Sequence, residues 1–220
     1  MHLRILVISI VVLSAVAFAQ PGTDPQAYGA PLDAYLIHYA ANLNVADAYV
    51  NITNAGTNGA TIFGGTKATV NGAICANAYV FDKDEQLVAC CSCPVTPNGL
   101  FSLSVQKDLI NNIMSQQAIP TAVTIKLTAT EPVKGSCAGS AFAAAPIYVS
   151  GLRAWGTSTH ANTSTTPATY QITEGLFLPA ELSVGEAGRL TQLCTFFAAN
   201  GSGFGVCNPC KPGGLASSKK

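Results

Sequence analysis

The fold that this sequence predicts is mainly β: an antiparallel β-sandwich, Ig-like or similar, with one C-terminal helix and a disulfide-stapled tail. Three observations predict it. Short runs of alternating apolar and polar residues recur at short spacing, separated by turns rich in Gly, Pro and Asn. Helical spacing of apolar residues is clear in one place only, after Ser183. The 220-residue chain carries eight cysteines and only 10% charged residues, a composition suited to a cross-linked exported domain.

The elements follow in order. Met1 to Ala19 has a basic start at Arg4, an apolar run from Ile5 to Phe18, and the small residues Ala17 and Ala19 that signal peptidase requires. The run is short for a spanning helix of about 20 residues. Residues 1–19 are therefore expected to be a signal peptide cleaved before Gln20, and no later stretch reaches spanning length. Residues 20–46 read as an extended N-terminal arm holding one strand-like run, Tyr35 to Tyr39. The sandwich is placed at residues 47–178. Its first strand is Asp47 to Thr53, where Ala48, Val50 and Ile52 share a face. Ile74–Phe81 and Gln86–Val95 form the next two strands, joined by the hairpin loop Asp82–Glu85.

Leu100 to Val105 continues the alternation, and Gln106 to Gln117 has the spacing of a short helix. Ala122–Thr130 gives the clearest period of two. Pro146–Trp155 and Tyr170–Leu178 read as further strands flanking an exposed Thr- and Ser-rich loop, Ser158–Thr169. Residues 179–220 form the helix and tail. Ser183 and Glu186 match a capping box, in which the serine oxygen accepts from the Glu186 N–H and the carboxylate reaches back. Leu190, Leu193, Cys194 and Phe197 follow at helical spacing, and Asn200-Gly201 ends the helix.

All eight cysteines, Cys75, Cys90, Cys91, Cys93, Cys137, Cys194, Cys207 and Cys210, follow the leader and are disulfide candidates. Strand geometry puts Cys91 and Cys93 on one face and Cys90 on the other. A bulge would set Cys91 or Cys93 opposite Cys75, so a bridge from Cys75 into this cluster is expected. Cys194 is expected to bridge to Cys207 or Cys210. The Cys207-Asn-Pro-Cys210 motif follows a helix and precedes Lys211-Pro-Gly-Gly214, which suits a staple better than a redox site at a helix N-terminus. A zinc site would have to join distant cysteines in an oxidising compartment.

Other chemistry is sparse. Equal numbers of acidic and basic residues exclude a nucleic-acid binder working by phosphate neutralisation. His38 and His160 are the histidines beyond the leader, and no G-x-S-x-G elbow accompanies them. Asp82, Asp84 and Glu85 lack the full calcium-loop pattern. Asn51, Asn162 and Asn200 open glycosylation sequons. The sequence points to no catalytic, cofactor or metal site.

The segments Cys75-Ala-Asn-Ala-Tyr-Val-Phe-Asp82, Ala89-Cys-Cys-Ser-Cys-Pro-Val-Thr-Pro-Asn-Gly99 and Leu103-Ser-Val resemble a family of uncharacterised secreted proteins of soil acidobacteria. So does Gly201-Ser-Gly-Phe-Gly-Val-Cys-Asn-Pro-Cys210 with its Gly-Gly-Leu tail. The resemblance implies a bacterial exported protein and brings no activity, cofactor or catalytic residue.

These readings converge on a secreted, non-enzymatic structural or cell-surface protein. It could assemble into a fibre or pilus-like polymer of itself, with Tyr35, Ile37 and Tyr39 of the arm as a donor strand. The opposing expectation is that the arm pairs within its own sheet. Two other functions fit the composition: a surface- or carbohydrate-binding, adhesin-like module contacting surface glycans through the Ser158–Thr169 loop, and a secreted hydrolase using His160 or the acidic tip.

Overall fold

The alternation along Val123–Thr130 builds the core: Val123, Ile125, Leu127 and Ala129 are all buried between two sheets. Burial of each large side chain of this kind stabilises the fold by about 1.5–3 kcal/mol. The computed structural model describes residues 29–62, 67–110, 120–200 and 211–212. The expected leader, the first part of the arm, Cys207, Cys210 and the glycine-rich turn after the helix lie outside the described residues.

Among the described residues ten strands form two antiparallel sheets. The elements are β1 (Tyr35–Ala40), β2 (Tyr49–Asn54), β3 (Ile74–Phe81), β4 (Leu87–Val95), β5 (Leu100–Ser104), β6 (Val123–Thr130), β7 (Leu152–Asn162), β8 (Thr169–Leu176), β9 (Leu178–Pro179), α1 (Val184–Asn200) and β10 (Lys211–Pro212). One sheet has the order β4-β3-β6-β1-β9 and the other β10-β5-β2-β7-β8. The chain switches sheets repeatedly, so their inner faces interdigitate as a sandwich.

A third layer lies on the outside of the first sheet. Helix α1 packs Ala187, Leu190, Cys194 and Phe197 against Tyr35, Tyr79, Phe81, Leu87 and Cys90. That cover explains why every residue of β3 is buried: Ile74, Ala76, Ala78 and Val80 face the sandwich, while Cys75, Asn77, Tyr79 and Phe81 lie beneath the helix and the turn Ser140–Phe142. A buried polar network links that layer to the sheet. Asn77 Nδ2 donates to Thr128 and Thr130 at 3.1 Å each, and its oxygen accepts from Ser92 at 2.6 Å. Ser92 Oγ in turn accepts from the Ala141 N–H. Each buried polar group thereby recovers the partners that desolvation removes.

Several boundaries differ from the sequence reading. The segment read as an arm contributes β1, which pairs along its length with β6 and also with β9. Thus Tyr35, Ile37 and Tyr39 sit inside their own sheet, the second of the two expectations for them. Asp33 anchors the entry to β1, accepting from Gly151 N–H at 3.0 Å and from Arg153 at 2.8 Å.

The expected exposed loop Ser158–Thr169 is half strand: β7 runs through Asn162, β8 starts at Thr169, and residues 163–168 make the turn between them. Polar side chains hid this strand because its far end meets no core. Near the expected helix 106–117, the described residues form one π-turn, Val105–Leu109. Asp108 accepts from the Ser104 N–H there, and 111–119 lie outside the described residues. The Glu186 N–H donates to Ser183 Oγ at 3.1 Å as the capping box requires. The carboxylate does not fold back but pairs with Lys126 of β6 at 2.5 Å, tying the helix to the sheet.

Candidate functional site

The cysteines come first because they set what the rest can do. Cys75 bonds Cys137 and Cys90 bonds Cys194. Cys91 and Cys93 are disulfide-bonded too. Both expected pairings are therefore corrected: Cys75 does not reach into the 90–93 cluster, and Cys194 is held by Cys90, not by the tail. The reason is register: the strands pair from Phe81 and Leu87, one residue later than a symmetric 82–85 loop gives, which alone would set Cys75 opposite Cys93, and a bulge then moves Cys75 off it. Phe81 opposes Leu87, but Val80 opposes Ala89, so Val88 is an extra residue and the register shifts by one. Cys75 then opposes Pro94, and Cys93 opposes Ala76. Cys91 and Cys93 face the sandwich, while Cys75 and Cys90 face the helix layer. Since a one-residue slip exchanges faces, Cys75 turns to Cys137 in the loop after β6, and Cys90 turns to the helix.

The residues weighed for catalysis or metal binding are dispersed. His160 stands on β7 between Asn42 Nδ2 (3.2 Å, at Nδ1) and Thr173 Oγ1 (3.0 Å, at Nε2). Its ring is thus matched to an amide and a threonine hydroxyl, without the orienting acid of a hydrolase triad. At the acidic tip, Asp82 Oδ1 accepts from the N–H groups of Asp84 and Gln86, and Lys83 neutralises Asp84. That is an Asx-type turn closing the β3–β4 hairpin. Among the described residues, no three His, Cys, Asp or Glu side chains cluster closely enough to hold a metal ion.

His38 is the histidine with unusual surroundings. It stacks on Phe177 with ring centroids 4.7 Å apart, and its buried Nε2 has no hydrogen-bond partner among the described residues. Burial lowers its pKa below the ordinary histidine value, partly offset by a hydrogen bond to the Leu176 backbone. A side-chain carbon at Gly156 would lie 2.1 Å from His38 Nε2, so glycine there makes room for the ring. This cluster marks where β7 and β8 leave the sandwich.

A cleft of about 340 Å³ opens at one end of the molecule, lined by the 68–73 turn, Asn58, Glu131 and Gly135. Glu131 is the only acid among the lining residues. Asn58 already donates its side-chain N–H to the Ser150 carbonyl at 2.7 Å. The cleft can accommodate a small polar molecule but brings no nucleophile together with a base.

The largest unsatisfied feature is a strand edge. β8 is the outer strand of its sheet, and all eight of its residues are exposed. Tyr170, Ile172 and Leu176 are 63%, 73% and 59% exposed, on one face by their even numbering. The Phe177 N–H donates to the Ala154 carbonyl at 3.0 Å. Antiparallel alternation then directs the odd-numbered backbone groups of β8 toward β7, and those of Tyr170, Ile172 and Glu174 toward the open edge. Sequence reading assigns this strand and misses that its edge is open. The signal was present as alternation with Tyr and Ile on one side and no matching apolar stripe on the distal part of β7.

Comparison of the chain with protein-family models, with curated proteins and with solved structures finds no match. Geometry and chemistry alone therefore define the class: a disulfide-braced, three-layer β-sandwich whose strand β8 has an open edge among the described residues.

Proposed function

We propose that this chain is an exported, non-enzymatic structural protein of the bacterial cell exterior that associates with copies of itself. One observation carries the reading. The bridged cysteines join elements far apart in sequence, 62 residues for Cys75–Cys137 and 104 for Cys90–Cys194. Bonds closing such long loops brace a domain against unfolding and persist in an oxidising compartment. The start of the chain, from Arg4 through Ala19, has the pattern that would deliver it there. Among the described residues no helix is long and apolar enough to cross a membrane. Low charge and zero net charge leave little repulsion against close assembly.

Fractionation of cells expressing the full chain tests this reading. The protein is expected outside the cytoplasm, beginning at Gln20, with no reactive thiols in mass spectra. Electron microscopy of that material is expected to show self-association. Cytoplasmic, reduced protein overturns the proposal, as does turnover in a broad substrate screen that His160→Ala abolishes. A monomer that scores on a glycan array replaces it with the adhesin-like function.

A further inference from the structure

We infer that β8 is a self-pairing edge: two copies join antiparallel through Tyr170–Glu174, centred on Ile172, and fuse their outer sheets into one. This deepens the structural reading and rests on it only for the setting in which copies meet.

The four sheet edges differ in how they are protected. β9 and β10 are two residues long and each ends in a proline, Pro179 and Pro212. β4 carries Pro94, is mostly buried, and packs against α1. These are the usual devices that stop edge-to-edge pairing: short strands, proline and cover. β8 has none of them. It is eight residues long, contains no proline, and has no neighbour beyond β7 among the described residues.

The occupant follows from the edge's own chemistry. The groups facing outward belong to Tyr170, Ile172 and Glu174, since the Leu176 backbone is already engaged by His38. A second copy running antiparallel meets this set with an identical one. Ile172 then opposes the Ile172 of the copy, and Tyr170 opposes its Glu174. Each pair exchanges N–H···O bonds in both directions, and the even-numbered apolar side chains of the two strands form one continuous stripe. Charge disfavours a competing register that hydrogen bonding would allow. Glu174 is the only charged residue of β8, and this alignment puts the two glutamates about 14 Å apart along the strands, at about 3.4 Å per residue. Sliding the copy until Glu174 faces Glu174 would lose the isoleucine contact and oppose like charges.

Sedimentation equilibrium of the exported, oxidised chain is expected to show a dimer. Ile172→Pro removes an N–H aimed at the open edge and none of those bonded to β7, and it is expected to give a folded monomer with all disulfides intact. Two cysteine variants remain informative even if the proline variant misfolds. Ile172→Cys places the two thiols across a hydrogen-bonded pair, with Cα atoms about 5.5 Å apart. That lies within the roughly 4.4–6.8 Å span of a disulfide, so a covalent dimer is expected on oxidation. Glu174→Cys is too distant from its own copy and is expected not to cross-link. A wild-type chain monomeric to about 1 mM, or equal cross-linking by the two cysteine variants, overturns the proposal. Correct export with a chain that associates but does not cross-link through Ile172→Cys defeats the edge alone. Cytoplasmic protein that still dimerises through Ile172 defeats the setting alone.

Discussion

The hairpins β3–β4 and β7–β8 are built alike and end differently. Both are long antiparallel pairs closed by a polar turn, and both alternate along their strands. β3 is buried on both faces, whereas β8 is exposed on both. The difference lies in what surrounds them. β3 has β6 and β4 at its sides, the second sheet beneath it and α1 above, and it is bolted to the loop and the helix layer through Cys75 and Cys90. The distal part of β7–β8 runs past the last core layer, and its root is plugged by His38 and Phe177. Alternation therefore reports that a strand has an apolar side. It does not report whether that side meets the same molecule or another one.

Four measurements break or sharpen that contrast. The largest effect is expected from the double variant Cys90→Ser, Cys194→Ser, which releases the helix from β4. Closing a loop of this length is worth up to about 4.7 kcal/mol on chain-entropy grounds, so a loss of about 2–5 kcal/mol is expected in urea titrations. Edge pairing through Ile172 should persist. Gly156→Ala comes next, because its new carbon meets the His38 ring. A cost of about 1–3 kcal/mol is expected from overpacking, and most of it should disappear in the His38→Ala background, as coupled neighbours require.

The third effect is a pH dependence. Burial favours neutral His38, so its folded pKa lies below the value of about 6.5 that it has unfolded. Between those two values the unfolded chain binds a proton that the folded chain refuses. This contribution is complete above about pH 6.5 and is lost as pH falls through the folded pKa. The stability of His38→Phe, measured by urea unfolding from pH 7 to pH 5, should decline less steeply than that of the parent. The smallest effect belongs to the open strand. Ile172→Thr is expected to change monomer stability by less than about 0.5 kcal/mol, as exposed sites do. Ile125→Thr in β6 puts a hydroxyl into the buried core and is expected to cost at least about 2 kcal/mol.

What the sequence determined by itself was local. Period-two alternation located β2, β3, β4, β5 and β6 to within a few residues, because the face that a strand residue occupies is set by its backbone. Ser183 marked the helix start because a cap acts within one turn. The tertiary structure decided everything that depends on distance. The single extra residue at Val88 shifted the register of β4 against β3, and with it which cysteines could meet. The sheet order took Tyr35–Ala40 from an apparent arm into its own sheet, between β6 and the short edge strand β9. The end of the core left β8 uncovered, although its residues resemble those of a half-buried strand. Pairing, register and cover are relations between segments remote along the chain, and no local pattern encodes which partner a face will find.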